Sequence, residues 1–255
     1  MTADSWTKAV RQQLGLGSVL PLGGPHDGAW ITESAARAAL RRRAASMRGV
    51  VLGPLRIASA DPDASGDSPE TAVPPPPSAL PPGPLRITAD FAAFAGPVAE
   101  PFPVTATRLR TALSTTATER LGLTVTEIDL RVTHLLEDVE DEEQPTAPAP
   151  EPPPTTPPPS TGDDEHSRAA AAALSIPGVT HLTATLGGLD RPTPITTGPA
   201  LPRRHIRVEL AVTEERRALD MAHEVRTAVS EALPDHPSVG VLITAVTAVG
   251  PVTRW

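Results

Sequence analysis

The chain has 255 residues and no cysteine, so neither disulfide bonds nor a thiolate metal site can stabilise it. Its formal net charge is -8, yet ten of its 30 acidic residues fall within residues 137–166, a stretch without lysine or arginine. The rest, with 20 acidic and 22 basic residues, is nearly neutral and lacks the basic excess typical of nucleic-acid binders.

The first part of the chain predicts a short helix, a connector and a second, capped helix. Residues 1–27 hold an amphipathic pattern followed by a glycine-rich connector. Residues 29–31 predict a short strand, and Thr32 is a candidate N-cap for an alanine-rich helix that reaches about Met47. The first folded unit is therefore expected to cover residues 28–136.

Alternating apolar and polar residues predict three longer strands in this unit. They are centred on Ile57, Ile87 and Leu130. A helix is predicted over residues 104–121, between the second and third strands. On the side of these strands away from the helices, Arg56, Arg86 and Arg131 should project, accompanied by Asp90 and Asp129. These arginines form the candidate interaction surface, although a solvated face of mixed charge explains the same pattern.

Two proline-rich segments interrupt the pattern. Residues 61–84, between the first two long strands, contain a run of four prolines and cannot form regular secondary structure. Residues 137–166 combine nine prolines with the acidic clusters, so they cannot bury enough apolar surface to offset their ordering entropy. We predict that this second segment is a disordered linker.

A second unit is predicted over residues 167–255, because blocks of the first unit recur there in the same order. The pairs are LRTALS (109–114) with VRTAVS (225–230), ASMRGV (45–50) with LSIPGV (174–179), and LRITA (85–89) with IRVELA (206–211). The predicted fold class is α+β, with two tandem α-β-β-α-β units. Each should be a small mixed sheet with two helices on one face, because the helix before the last strand permits a parallel crossover.

The last predicted strand, residues 239–246, is apolar on both faces. Val241 and Ile243 point one way, whereas Leu242 points the other. An exposed apolar strand face is normally covered by another domain or subunit. We therefore expect the first unit, the N-terminal helix or a second chain to dock on Leu242.

Short motifs in both units carry a resemblance to a known family. The motifs are Ile176-Pro177-Gly178-Val179 after a helix, Met47-Arg48-Gly49-Val50, Leu121-Gly122-Leu123-Thr124-Val125 and the alternating Ile128-Asp129-Leu130-Arg131-Val132. With them the chain resembles a tandem repeat of the alkaline shock protein family, the Gls-type envelope-stress proteins of Gram-positive bacteria. It also resembles actinobacterial proteins filed under a nucleopolyhedrovirus fibrous-body family name. Asp235-His236-Pro237 departs from the family pattern, since it replaces the Gly-Leu step in the second unit.

The resemblance implies a non-enzymatic structural or stress-related role near the membrane, with no catalytic residues to assign. The sequence motifs also favour a non-enzymatic role, because the seven histidines show no HExxH spacing and neither GxSxG nor GxGxxG occurs. We therefore predict no catalytic, cofactor-binding or metal-ligating residues and no cofactor.

The leading hypothesis is a non-catalytic structural or interaction module with an unidentified protein partner, and self-association stays open. A KH-like nucleic-acid-binding protein is the alternative because of its similar element order, although the GxxG loop of KH domains is absent from the sequence. An enzyme with a site between the units is a third hypothesis. The chain lacks the ~18 consecutive apolar residues of a membrane-spanning helix and the apolar core of a signal peptide. We therefore expect a cytoplasmic location with indirect membrane association.

Overall fold

The computed structural model describes residues 15, 17–61, 71–76, 79–96, 99–136, 164–185, 193–195 and 203–248. The predicted opening helix and residues 137–163 of the predicted linker lie outside these residues. In chain order the elements are β1 (Val19–Leu22), β2 (Ala29–Thr32), α1 (Glu33–Ala45), β3 (Val50–Ser59), β4 (Leu85–Phe94), α2 (Phe102–Thr115, continued by a π-helical turn, Thr116–Leu121), β5 (Val125–Leu136), α3 (Asp164–Leu174), β6 (Val179–Leu182), β7 (Thr193–Ile195), β8 (Arg203–Thr213), α4 (Ala218–Glu231) and β9 (Ser238–Thr247). The α+β class is confirmed.

The strands form two mixed sheets. In the smaller sheet the order is β3-β4-β5, with β3 antiparallel and β5 parallel to the central β4. The larger sheet has the order β1-β2-β9-β8-β6, and β7 also pairs with β8. Here β6 is antiparallel and β9 parallel to β8. The three-stranded arrangement of the first sheet therefore recurs within the second.

The recurring sequence blocks lie in corresponding elements. LRTALS (109–114) lies in α2, and VRTAVS (225–230) lies in α4. Leu109 and Leu113 are buried, as are Val225 and Val229. The four-residue spacing places each pair on one side of its helix, so each block supplies the side that packs on a sheet.

The predicted cap of α1 is confirmed. Thr32 lies in β2 and its side chain accepts a hydrogen bond from the Ala35 amide at 3.3 Å. Because β2 runs directly into this cap, α1 begins as soon as the strand ends. The helix packs against β3 of one sheet and β9 of the other and thereby joins the two.

The β1–β2 hairpin differs from the sequence-based assignment: β1 is a strand within residues 1–27, where a connector was predicted, and β2 was assigned to the first unit. It extends the larger sheet, because β2 lies parallel to β9, with Ala29 opposite Val241 and Ile31 opposite Ile243. One continuous hydrophobic core includes residues of both described sheets and of α1, α2, α3 and α4. In addition, α3 begins at Asp164, inside the segment 137–166 predicted as linker. The β2–β9 pairing and the shared core therefore join residues that the sequence had assigned to two separate units.

A half-buried arginine fixes the hairpin turn to the second unit. The Arg226 guanidinium donates to the Val239 carbonyl at 2.8 Å, to the His26 carbonyl at 3.3 Å and to the Asp27 carbonyl. Burial lowers the pKa of Arg226, while the negative charge of Asp27 raises it. His223 adds a second contact, since its Nε2 lies 2.9 Å from Asp27 Oδ1.

The turns from the last helix to the last strand of each unit both use a left-handed residue. In the first unit it is Gly122, with φ of 93°. In the second it is His236, with φ of 43°, which precedes Pro237. A side chain in this conformation costs about 1–2 kcal/mol, whereas glycine adopts it freely. His236, which stands where the family pattern has the glycine of the Gly-Leu step, therefore carries backbone strain.

Substituting His236→Gly is expected to raise the free energy of unfolding by about 0.5–1 kcal/mol, because relief of the strain exceeds the entropy gained by the unfolded chain. Chemical denaturation would measure it. His181→Gly, in strand β6, is the control and should lower the free energy of unfolding. A decrease with His236→Gly would show that the imidazole contact with the Ser230 carbonyl, at 3.1 Å, outweighs the strain.

Candidate interaction surface

The outer face of the larger sheet is covered from within the chain. Leu242 has 0% exposure and packs with Trp30, Val19 and Val73. Trp30 is the register neighbour of Leu242 across the β2–β9 pair. Trp30 and Val73 belong to the predicted first unit and Val19 to the N-terminal segment 1–27, so both segments contribute to the predicted cover. Leu242 is therefore covered by residues of the same chain and has no exposed surface.

Part of this cover comes from the proline-rich insertion 61–84. Val73 is 2% exposed, and Ala79 forms a bridge with Val19. The Leu80 amide donates to the Val19 carbonyl at 2.8 Å. The described part of the insertion is therefore packed against the sheet edge, which proline content alone does not reveal.

Polar side chains are also buried in the larger sheet. Glu209 is 1% exposed, and its Oε1 lies 3.8 Å from Arg207 Nε. The hydroxyls of Thr183 and Thr244 are 2.8 Å apart. A buried carboxylate is costly unless it is paired, so Arg207 has a structural role here. The sequence did not reveal these residues, because alternation along β8 indicates the face on which they lie but not whether that face is buried.

The helix-free face of the smaller sheet is exposed and carries the three predicted arginines. Arg56 lies on β3, Arg86 on β4 and Arg131 on β5, and all three are exposed while their sequence neighbours Leu55 and Ile87 are buried. The structure thus brings the arginines together on one face. We call the face that carries Arg56, Arg86 and Arg131 the arginine face.

Acidic residues of β5 lie beside these arginines. Arg86 pairs with Glu127, and its Nε lies 3.7 Å from Asp129 Oδ2. Asp90 and Arg131, both predicted on this face, are opposite each other in the β4–β5 register. The face therefore carries alternating positive and negative charges. Such a surface suits a partner of mixed charge better than a polyanion.

The two edges of the smaller sheet differ. At β3, the Glu33 carboxylate accepts from the Ile57 amide at 3.4 Å and Arg41 donates to the Gly53 carbonyl at 3.4 Å, so side chains of α1 protect this edge. At the outer edge of β5, none of the described strands pairs, and Arg110 Nε donates to the Ile128 carbonyl at 3.2 Å. The sequence did not reveal this edge, since the neighbours of a strand are set by the tertiary fold.

Apolar side chains are exposed along β5. Val132 is 38% exposed and Leu135 is 56% exposed. Ile128 and Leu130 are only partly buried against the core. An open edge with exposed apolar side chains is the feature through which strands pair with other chains.

Across the described ranges, no group of three His, Asp or Glu side chains is arranged to hold a metal ion. Within those same ranges no helix is long and apolar enough to cross a bilayer. No protein-family model, curated protein or solved structure matches the chain.

Proposed function

We propose that the protein is a non-catalytic interaction module of two tandem α-β-β-α-β units, and that its arginine face binds a protein partner. The supporting observation is the contrast between the two sheets. Leu242 of the larger sheet is completely buried, whereas Arg56, Arg86 and Arg131 occupy the corresponding, exposed face of the smaller sheet. A duplicated unit with one open face is suited to bind a partner without a catalytic centre.

A duplication is supported by both topology and sequence. The order antiparallel pair, crossover helix, parallel strand occurs in β3-β4-α2-β5 and again in β6-β8-α4-β9. The glycines of the helix-to-strand turns, Gly49 and Gly178, both have a positive φ, of 73° and 97°. Gly178 belongs to the motif that resembles the alkaline shock proteins. On this basis we place the proposed partner near the bacterial envelope and the protein on the cytoplasmic side.

Affinity capture from native lysate, with membrane and soluble fractions analysed separately, tests the proposal. The double variant Arg56→Glu/Arg86→Glu should reduce the captured partner about tenfold, because charge reversal converts attraction into repulsion. The matched control is Arg48→Glu/Arg120→Glu, which reverses two exposed arginines away from the arginine face. Equal capture by both variants would contradict the proposed surface.

The KH-like alternative makes a different prediction for the same variants. Binding to single-stranded RNA through the arginines would weaken steeply with salt, since phosphate contacts release counterions. A filter-binding titration with a mixed-sequence oligoribonucleotide measures this slope. Tight binding that both salt and Arg56→Glu/Arg86→Glu abolish would replace the protein partner with a nucleic acid.

A further inference from the structure

We propose that the outer edge of β5 pairs antiparallel with β5 of a second copy of this chain, with a two-fold axis at Leu130. The two smaller sheets then form one continuous sheet in the order β3-β4-β5-β5-β4-β3. This self-association does not depend on a partner of the arginine face, so it goes beyond the proposed function.

The corresponding edge in the second unit already accepts an added strand. There β9 takes the place of β5, and β2 lies against its outer edge. Among the described strands none occupies this position beside β5, although β5 has 12 residues and is longer than β9. The fold therefore tolerates a further strand at this position, and the first unit presents the longer edge for one.

The sequence of β5 complements itself in one register. With Leu130 opposite its own copy, Asp129 faces Arg131 of the second copy and Ile128 faces Val132. Because of the two-fold axis each of these pairs occurs twice. Opposite charges and apolar pairs across antiparallel strands both stabilise a sheet.

Neighbouring registers are disfavoured. Centring the axis on Asp129 places two carboxylates opposite each other, and centring it on Arg131 places two guanidinium groups opposite each other. A slip by a single residue would pair apolar side chains with charged ones, since the side-chain period of a strand is two. Of these registers, only the one centred on Leu130 pairs opposite charges with each other and apolar side chains with each other.

The backbone orientation fits this register. The Ile128 carbonyl accepts from Arg110, so it points away from β4. Since alternate residues of a strand point to opposite edges, Leu130 and Val132 also direct their amides and carbonyls outward. They are then the hydrogen-bonded positions of the antiparallel pair, which gives about six new backbone hydrogen bonds. Arg110 must release one carbonyl, and this exposed side chain can turn towards solvent.

In this register the apolar side chains of β5 lie on one face of the joined sheet and its charged side chains lie on the other. Ile128, Leu130 and Val132 lie on the side of the helices, where Ile128 and Leu130 already touch the core. Pairing would bury the exposed Val132 against Ile128 of the second copy. Asp129 and Arg131 lie on the arginine face at the closely spaced, non-hydrogen-bonded positions, where side chains approach each other most.

Sedimentation of the purified full-length chain over a range of concentrations tests the pairing. The wild-type protein should form dimers, and Asp129→Arg and Arg131→Asp should each weaken the dimer by roughly tenfold or more, since each places like charges opposite each other twice. The double variant Asp129→Arg/Arg131→Asp restores the pairs in exchanged positions and should dimerise again. Arg120→Asp is the matched control and should leave the dimer unchanged.

Mixing the two single variants gives the sharpest result. Asp129→Arg carries two arginines at these positions and Arg131→Asp carries two aspartates, so together they should form a heterodimer although each alone is largely monomeric. A monomeric wild-type chain would overturn the pairing, as would variants that dimerise normally or a mixture that fails to associate. Because only purified protein is used, this failure is distinguishable from failure of the partner capture.

Discussion

Replacing Leu242 by aspartate is expected to remove most of the protein's free energy of unfolding. The side chain has 0% exposure and contacts Trp30, Val19 and Val73. The variant loses the apolar contacts of a buried leucine, about 2–5 kcal/mol, and must also bury a carboxylate at a cost of several kcal/mol. Since typical domains have only about 5–15 kcal/mol of stability, this change removes most of it. Circular dichroism and denaturation would measure the loss.

A milder change makes the same test quantitative. Leu242→Ala should lower the free energy of unfolding by about 3 kcal/mol, because the cavity is enclosed by a tryptophan and two valines. The control Leu135→Ala removes a leucine from β5 that is 56% exposed, and should cost less than about 1 kcal/mol. Equal effects of the two substitutions would show that Leu242 is exposed in solution.

Substituting Gly122→Ala is expected to be the second most damaging change. Gly122 has φ of +93°, and an added Cβ would lie 2.6 Å from the Cβ of Leu219. The left-handed backbone costs an alanine about 1–2 kcal/mol, and overpacking against α4 adds about 1–3 kcal/mol. The Gly122 carbonyl also accepts from the Gly23 amide at 2.9 Å, so a shift at Gly122 would disturb the turn between β1 and β2.

Urea denaturation should show a loss of about 3 kcal/mol for Gly122→Ala. The control is Gly83→Ala, because an added Cβ there has no atom within 4 Å. It should leave stability unchanged or raise it slightly, since alanine restricts the unfolded chain. Equal effects at both glycines would contradict the close contact between Gly122 and Leu219.

Local patterns in the sequence determined the elements and the direction of their side chains. Alternation predicted β3, β4 and β5, and it placed Arg56, Arg86 and Arg131 on one face of a sheet because the side-chain period of a strand is two. Thr32 was recognisable as a cap, since its hydrogen bond is made to a residue three positions away. The apolar character of both faces of β9 indicated that Leu242 would be covered.

The tertiary structure alone decided which elements are neighbours. No local pattern assigns β2 to β9, because this pairing joins residues about two hundred positions apart and depends on packing of the whole chain. For the same reason the sequence could not show that Trp30 and Val73 bury Leu242. Nor could it show that none of the described strands pairs with the outer edge of β5, while side chains of α1 protect the edge of β3. Periodicity fixes the side to which a residue points, whereas burial and pairing depend on what the rest of the chain places there.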